Sequence, residues 1–154
     1  MITYRPLLMI LFLVPLFSSC SKDTEENKVK KVVIGVQQAA EERKISAVLD
    51  HISKSYRDPQ GNDYNGVKGI LAYNFFRHQK VSVYLQNIDV VVSGPTAQVM
   101  FQAVMTGRDM GGEILPEALG TFNFEVHLSK EDGTWKITSA KWQPAGEAVT
   151  PPQE

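Results

Sequence analysis

An aspartate in a turn-rich loop is the side chain of this sequence best suited to acid–base chemistry. Asp58 stands in the stretch YRDPQG, with Tyr56 two residues before it and His51 earlier in the chain. A carboxylate at the mouth of an apolar pocket can hold a raised pKa and accept a proton from a carbon next to a carbonyl, with Tyr56 or His51 assisting. Aspartate before proline is also typical of a turn in which the carboxylate caps backbone groups. Both roles are open for Asp58.

Other kinds of catalytic or metal site find little support in the residue spacing. The stretch DPQGNDYNG offers several oxygen ligands but lacks the register and the distal glutamate of a calcium loop. The three histidines do not have the spacing of a zinc site. No glycine-rich phosphate loop follows a predicted strand, and no serine lies in a nucleophile elbow. The sequence therefore predicts no metal and no cofactor.

The single cysteine points to a membrane rather than to catalysis. Residues 7–17 are almost continuously apolar and are followed by Ser18, Ser19 and Cys20. This order is typical of an export signal, and the apolar run is short for a membrane span. The stretch FSSC resembles the bacterial lipobox, which implies cleavage before Cys20 and acylation of that residue. A serine at position 21 favours, by the same resemblance, the outer membrane facing the periplasm. The alternative is an ordinary signal peptide with an unrelated cysteine.

The chain is predicted to hold one folded domain between polar segments. Residues 1–19 form the lipoprotein signal peptide, 20–31 the acylated cysteine and a flexible tether, 32–143 the domain and 144–154 a disordered tail. The formal net charge is -1 and no basic stripe is present, so no nucleic-acid partner is expected. The glycine-rich stretch 107–116 can bury little apolar surface and is predicted to be a mobile flap at a pocket mouth.

The apolar period changes once along this domain, from helical to alternating. Three helices are predicted first: a long one ending near Arg43, a short one to about Ser53, and a third capped by Asn65. From Lys80 onward, alternation predicts four long antiparallel strands, with a bulge near Asn87 in the first strand. The predicted fold class is α+β, with three N-terminal helices packed on one face of a curved antiparallel sheet.

This order of elements resembles the nuclear transport factor 2-like superfamily, which includes SnoaL-like cyclases, ketosteroid isomerase and scytalone dehydratase. The resemblance covers about residues 29–143 and is carried by the YRDPQG loop and the ending DGTWKITSAKW. It implies a cone-shaped fold with a pocket at its wide end, and it makes Asp58 the counterpart of the isomerase's general base. The positions that match that enzyme's oxyanion donors fall near Val36 and Phe124, neither of which can donate a hydrogen bond.

The predicted function is binding by a lipid-anchored envelope protein, without catalysis. The pocket, expected to take a small apolar ligand or a protein partner, is predicted to be lined by Tyr56, Phe76, Met105 and Trp142. The alternative is an enzyme of the same fold that carries out proton transfer, isomerisation or dehydration with Asp58 as general base. A third function is that of an envelope subunit that forms a homodimer through the outer sheet face. That face is predicted to be polar through Gln98, Gln102, Asn123, Glu125 and His127.

Overall fold

Three helices lead into four strands in the computed structural model, which describes residues 23–109 and 120–146. The helices are α1 (Glu25–Glu41), α2 (Ile45–Leu49) and α3 (Tyr64–Arg77), and the strands are β1 (His78–Ser93), β2 (Thr96–Asp109), β3 (Thr121–Glu131) and β4 (Thr134–Pro144). All neighbouring strands pair antiparallel in one sheet of order β1-β2-β3-β4. The predicted α+β class is confirmed. Cys20, most of the predicted flap and the end of the predicted tail lie outside the described residues.

Helix α1 begins earlier than the apolar pattern predicted. The hydroxyl of Thr24 accepts a hydrogen bond from the Asn27 N–H at 3.2 Å, and two glutamates in the first turn suit the positive end of the helix. Val29 is fully buried although its neighbours on both sides are polar. Residues 25–31, which were predicted to be tether, are therefore part of the folded domain.

Helix α3 also differs at its start. The Asp63 carboxylate, rather than the predicted Asn65, caps the helix by accepting a hydrogen bond from the Gly66 N–H at 2.8 Å. An extended conformation at Asp63 lets its side chain reach back over the first turn, as an N-cap requires. The helix ends at Arg77, and the chain enters β1 directly at His78.

Residues with positive φ mark the predicted bulge and two turns between strands. Asn87 has φ 53°, and the β1–β2 ladder shifts register between Gln86 and Asp89. Asparagine tolerates this left-handed conformation better than most residues, and a bulge bends its strand. Gly94 (φ 58°) turns β1 into β2, and Gly133 (φ 80°) turns β3 into β4. The predicted bulge is confirmed.

The core lies between the helices and one face of the sheet. Val99, Val126 and Leu128 are buried on the middle strands, at alternate positions, as an inward-facing set must be. They pack in one cluster with residues of α1, of α2 and of the segment that follows α2. The other positions on these strands form the outer face. Within the described residues, no helix is long and apolar enough to cross a membrane.

Polar contacts fix the two ends of α1. At its beginning, the Glu25 carboxylate accepts hydrogen bonds from Lys130 Nζ and from Trp135 Nε1, both at 2.8 Å. At its end, the Glu41 carboxylate accepts from the Val83 N–H at 2.9 Å. These contacts hold α1 along the sheet, from the β3–β4 turn to the first half of β1.

Candidate functional site

The loop that carries Asp58 is held along the free edge of β4. The Ser53 N–H donates to the Ile137 carbonyl at 2.8 Å, and the Ile137 N–H donates to the His51 carbonyl at 2.9 Å. Further along, the Arg57 N–H donates to the Thr138 carbonyl at 3.0 Å. The loop therefore extends the sheet, and these backbone contacts set the position of Asp58, which follows Arg57.

Asp58 is buried and surrounded by hydrogen-bond donors. Its side chain is 8% exposed. One carboxylate oxygen accepts from the Asn62 N–H at 2.8 Å, and the other accepts from Asn62 Nδ2 at 2.9 Å and from the Tyr56 hydroxyl at 3.2 Å. Gln60 adds a backbone N–H, and the Asp58 carbonyl accepts from the Gly61 N–H at 3.0 Å. In this arrangement the carboxylate caps the turn that follows it.

These contacts decide the charge state of the Asp58–Tyr56 pair. Burial by itself raises the pKa of Asp58, but the hydrogen bonds from Asn62, Tyr56 and Gln60 together outweigh burial and lower the pKa below its ordinary value. Burial also raises the pKa of the Tyr56 hydroxyl, and the neighbouring carboxylate raises it further. Asp58 is therefore ionised and Tyr56 protonated at neutral pH. A carboxylate is a weak base when its pKa is lowered and its lone pairs already accept hydrogen bonds.

The structure does not place the predicted pocket residues around one cavity. Tyr56 is buried under the Asp58 turn, Met105 is half-buried on β2 opposite Val83, and Phe76 is exposed on α3. Of these four residues, only Trp142 contributes to the lining of a cavity described below. Phe76 was predicted to line the pocket but is exposed, and Phe75, next to it, is the residue that α3 buries.

An open groove of 410 Å³ crosses the sheet near the β1 bulge. Most of its lining side chains belong to the outer face, in agreement with the predicted polarity of that face. The lining includes Asn87, Met100, Gln102, Asn123, Glu125, Lys141, Trp142 and Gln143. Asn87 Nδ2 donates to Gln102 Oε1 at 3.3 Å, and Glu125 Oε1 accepts from Gln98 Nε2 at 2.9 Å. A second cavity, of 420 Å³, lies on the same sheet around Gln98 and His127.

The two positions that would need to carry oxyanion donors are apolar and packed. Val36 is half-buried against the core, and the Phe124 ring stacks on Phe101 with centroids 5.1 Å apart. The possible substitutes do not replace them: Tyr84 is exposed, and Asn123 lines the outer groove. The inward face near Phe124 is thus an aromatic surface without a side-chain donor at these positions.

His51 packs against α1 rather than beside the Asp58 carboxylate. A Cβ atom added to Gly35 would lie 2.6 Å from His51 Nε2, so the ring occupies the space that the glycine leaves open. Burial lowers the pKa of His51, and the nearby Lys136 lowers it further, against a smaller opposite effect of Asp50. The imidazole is neutral at neutral pH, and among the described residues it makes no hydrogen bond to Asp58.

His78 is a functional candidate that the sequence pattern did not single out. The structure buries it to 3% exposure at the start of β1. Its Nδ1 atom is buried and has no hydrogen-bond partner among residues 23–109 and 120–146. Such an orphaned polar atom is uncommon and is found at functional sites among other places. The same ranges contain no cluster of three or more histidine, cysteine or acidic residues that could hold a metal ion.

Comparison with known proteins identifies the fold. No family model and no curated protein matches the sequence. Among solved structures, a nuclear transport factor 2-like superfamily protein from Salmonella enterica serovar Typhimurium superposes with a TM-score of 0.68 at 13% identity, covering 83% of this chain and 96% of its own. Hexachlorocyclohexane dehydrochlorinase LinA-type3 from Novosphingobium barchaimii superposes with a TM-score of 0.62 at 14% identity, covering 81% and 93%. The chain has the nuclear transport factor 2-like fold, which occurs in enzymes as well as in other proteins.

Proposed function

We propose that this chain, which has the nuclear transport factor 2-like fold, is a lipid-anchored protein of the bacterial envelope. It binds a small apolar ligand or a protein partner and does not convert it chemically. The observation that carries the non-catalytic part is the environment of Asp58. Its carboxylate is saturated by Asn62 and Tyr56, and its pKa is lowered rather than raised. A general base needs the opposite: a free lone pair and a pKa near the working pH.

The apolar residues on the inward face support the same proposal. Proton abstraction next to a carbonyl leaves a negatively charged oxygen, and removing one oxyanion donor costs about 3 kcal/mol of transition-state stabilisation. Val36 and Phe124 offer none. An aromatic surface such as Phe101, Phe124 and Trp142 instead suits a small apolar ligand.

The anchor rests on the order of regions before the domain. An apolar run that ends in Ser18, Ser19 and Cys20 suits export and acylation, and the serine at position 21 suits the outer membrane. Several acyl chains on one residue hold a domain stably, whereas one chain is marginal. The four residues between Cys20 and α1 then make the tether short.

A ketosteroid isomerisation assay tests the non-catalytic part. The chain from residue 23 to 154 contains all described elements and the whole core, and it lacks the apolar leader. We expect no formation of conjugated ketone above background by this chain or by Asp58→Asn. Turnover that disappears in Asp58→Asn would overturn the proposal and establish the enzyme alternative.

His78 favours a second candidate function, an enzyme that moves a proton with a histidine instead of Asp58. A buried imidazole with one unpartnered nitrogen can accept a proton from a bound molecule. The dehydrochlorinase of the same fold provides halogenated cyclohexanes as a first substrate class to assay. Release of chloride that is lost in His78→Gln but kept in Asp58→Asn would support this candidate. No release from the wild-type chain with such substrates would count against it.

A further inference from the structure

Helix α3 exposes an apolar strip that nothing in the described part of the chain covers. Ile70, Tyr73 and Phe76 are 41%, 59% and 78% exposed, which is unusual for side chains of this size on one short helix. Their spacing of three residues places them on one side of the helix, within about 120° of arc, together with Arg77. We call these four residues the α3 patch. Phe75 and Leu71 point to the other side, toward the domain.

The α3 patch combines apolar side chains with positive charge. Helix α3 contains Lys68 and Arg77 but no acidic residue, and the exposed Lys80 follows it at the start of β1. Arg77 Nη1 donates to the Tyr73 hydroxyl at 2.8 Å, so the cation and the phenol form one polar edge beside the Phe76 ring. Exposed aromatic and aliphatic side chains next to arginine are typical of segments that lie in a lipid–water interface.

Gly69 fits the same use of this helix. It lies in the interior of α3 on the side of the patch, and a Cβ atom added there would meet nothing within 4 Å. Neither close packing nor a positive φ explains a glycine at this position, although glycine weakens a helix. Its absence of a side chain makes the exposed side of α3 flatter one turn before Tyr73. A flat strip can lie on a surface along its whole length.

The position of the patch relative to the anchor limits how the domain could meet a membrane. Arg43, two residues after α1, donates to the carbonyls of Phe75 and Gln79, so the end of α3 lies beside the end of α1. Helix α1 has 17 residues and is about 25 Å long. The segment from Cys20 to Glu25 reaches about 17 Å at most. Both ends can contact one membrane only if α1 is tilted by less than about 45° from the membrane plane.

We propose that the α3 patch binds the surface of an anionic phospholipid bilayer. Phe76, Tyr73 and Ile70 enter the headgroup region, while Arg77 and Lys80 contact phosphate groups. The proposal rests on the lipid anchor proposed above only for the reason that an anchored domain always has a bilayer within reach. The anchor then sets a high local concentration of lipid for the patch, so a weak contact by the patch is sufficient.

Vesicle co-sedimentation of residues 23–154 tests the patch without the anchor. The vesicles contain either phosphatidylcholine alone or equal parts phosphatidylcholine and phosphatidylglycerol. We expect binding to the anionic vesicles. Phe76→Ser and Tyr73→Ser should each weaken it about tenfold, because each removes an aromatic side chain that the bilayer would bury. Arg77→Gln is expected to weaken it about fivefold, by loss of one cation near the surface.

Tyr84→Ser is the matched control. Tyr84 is 59% exposed, as Tyr73 is, but lies on β1 outside the patch. The Tyr84→Ser variant should bind the vesicles as the wild type does. Because Phe76 is largely exposed, Phe76→Ser should unfold at the same temperature as the wild type, which keeps a loss of binding interpretable.

Three outcomes would overturn the proposal. The wild-type chain could fail to bind anionic vesicles, or Phe76→Ser and Tyr73→Ser could bind as the wild type does. The chain could also form an oligomer that Phe76→Ser dissociates while vesicles bind nothing, and the patch would then be a protein contact. None of these outcomes depends on acylation of Cys20, so this proposal and the anchor fail separately.

Discussion

At the residue scale, Asp58 shows how donors around a carboxylate decide between a catalytic and a structural role. The side chain is as buried as a general base would be, and burial raises its pKa. The hydrogen bonds from Asn62 and Tyr56 act in the opposite direction and prevail. The ionised Asp58 carboxylate thus stabilises the turn of its own loop.

Asp58→Asn should destabilise the domain because an amide would face the donors that now bind a carboxylate. We expect a loss of about 1–3 kcal/mol in the free energy of unfolding at neutral pH. Since the folded-state pKa lies below 3.8, the contribution of Asp58 is fully present above that pH and is lost as the pH falls toward the lowered value. Urea unfolding at several pH values measures both effects. Equal stability of the two chains at neutral pH would contradict the structural role.

Two helical glycines should respond in opposite directions to the same substitution. Gly35→Ala places a methyl group 2.6 Å from His51 Nε2, so the ring must move, and we expect a loss of about 1–2 kcal/mol. Gly69→Ala meets nothing within 4 Å and should stabilise α3 by about 0.5–1 kcal/mol. Urea unfolding of both variants provides the comparison, each serving as the control of the other. Stabilisation by Gly35→Ala would place His51 away from α1.

At the scale of elements, one carboxylate connects the first turn of α1 to the sheet. Glu25 accepts hydrogen bonds from Lys130 and Trp135 on the β3–β4 hairpin and from Lys28 on its own helix. The hydrogen bond from Lys130 is the largest cause that lowers the pKa of Glu25, to about 2, followed by those from Lys28 and Trp135. The helix end and the hairpin are therefore linked through an ionised group.

Glu25→Gln should remove part of the acid sensitivity of the fold. The pKa of Glu25 is 4.5 ordinarily and about 2 in the folded domain, so its contribution is present above pH 4.5 and is lost between pH 4.5 and about 2. The variant should be less stable at neutral pH and should lose less stability over that interval. Glu26→Gln, at the exposed position next to it, is the control and should titrate like the wild type. Identical acid unfolding curves for all three chains would exclude this link.

At the scale of the whole molecule, the helices lie on one face of the sheet, and no other described element covers the opposite face. That outer face carries both described cavities, one of them next to the bulge at Asn87. The predicted homodimer through this face stays a prediction. The proposed α3 patch lies on the helical side, so it and the outer face are separate surfaces.

Cys20→Ser should release the full-length protein from membranes or leave it unprocessed. The thiol is the acceptor of the acyl chain in the proposed anchor, and serine does not replace it. Cells grown with labelled palmitate should incorporate label into the wild-type protein only, as seen after precipitation and electrophoresis. A wild-type protein without label would contradict the anchor, while the fold and the Asp58 predictions would be unaffected.

The sequence by itself determined the order of elements and their turns. A change from helical to alternating spacing is a local property, and so is the preference of Gly94, Gly133 and Asn87 for positive φ. The antiparallel pairing of β1 with β2 and of β3 with β4 followed from the short turns between them. These features depend on neighbours in the chain, which the sequence displays directly.

Only the tertiary structure decided which side chains are buried and what they contact. Val29 lies among polar neighbours and is buried because the sheet packs over it, while Phe76 remains exposed because α3 turns Phe75 inward. His78 and Asp58 are buried although both are polar, and burial together with hydrogen-bond donors sets the pKa of Asp58. Desolvation and hydrogen bonding act through space, so a pattern along the chain cannot supply them.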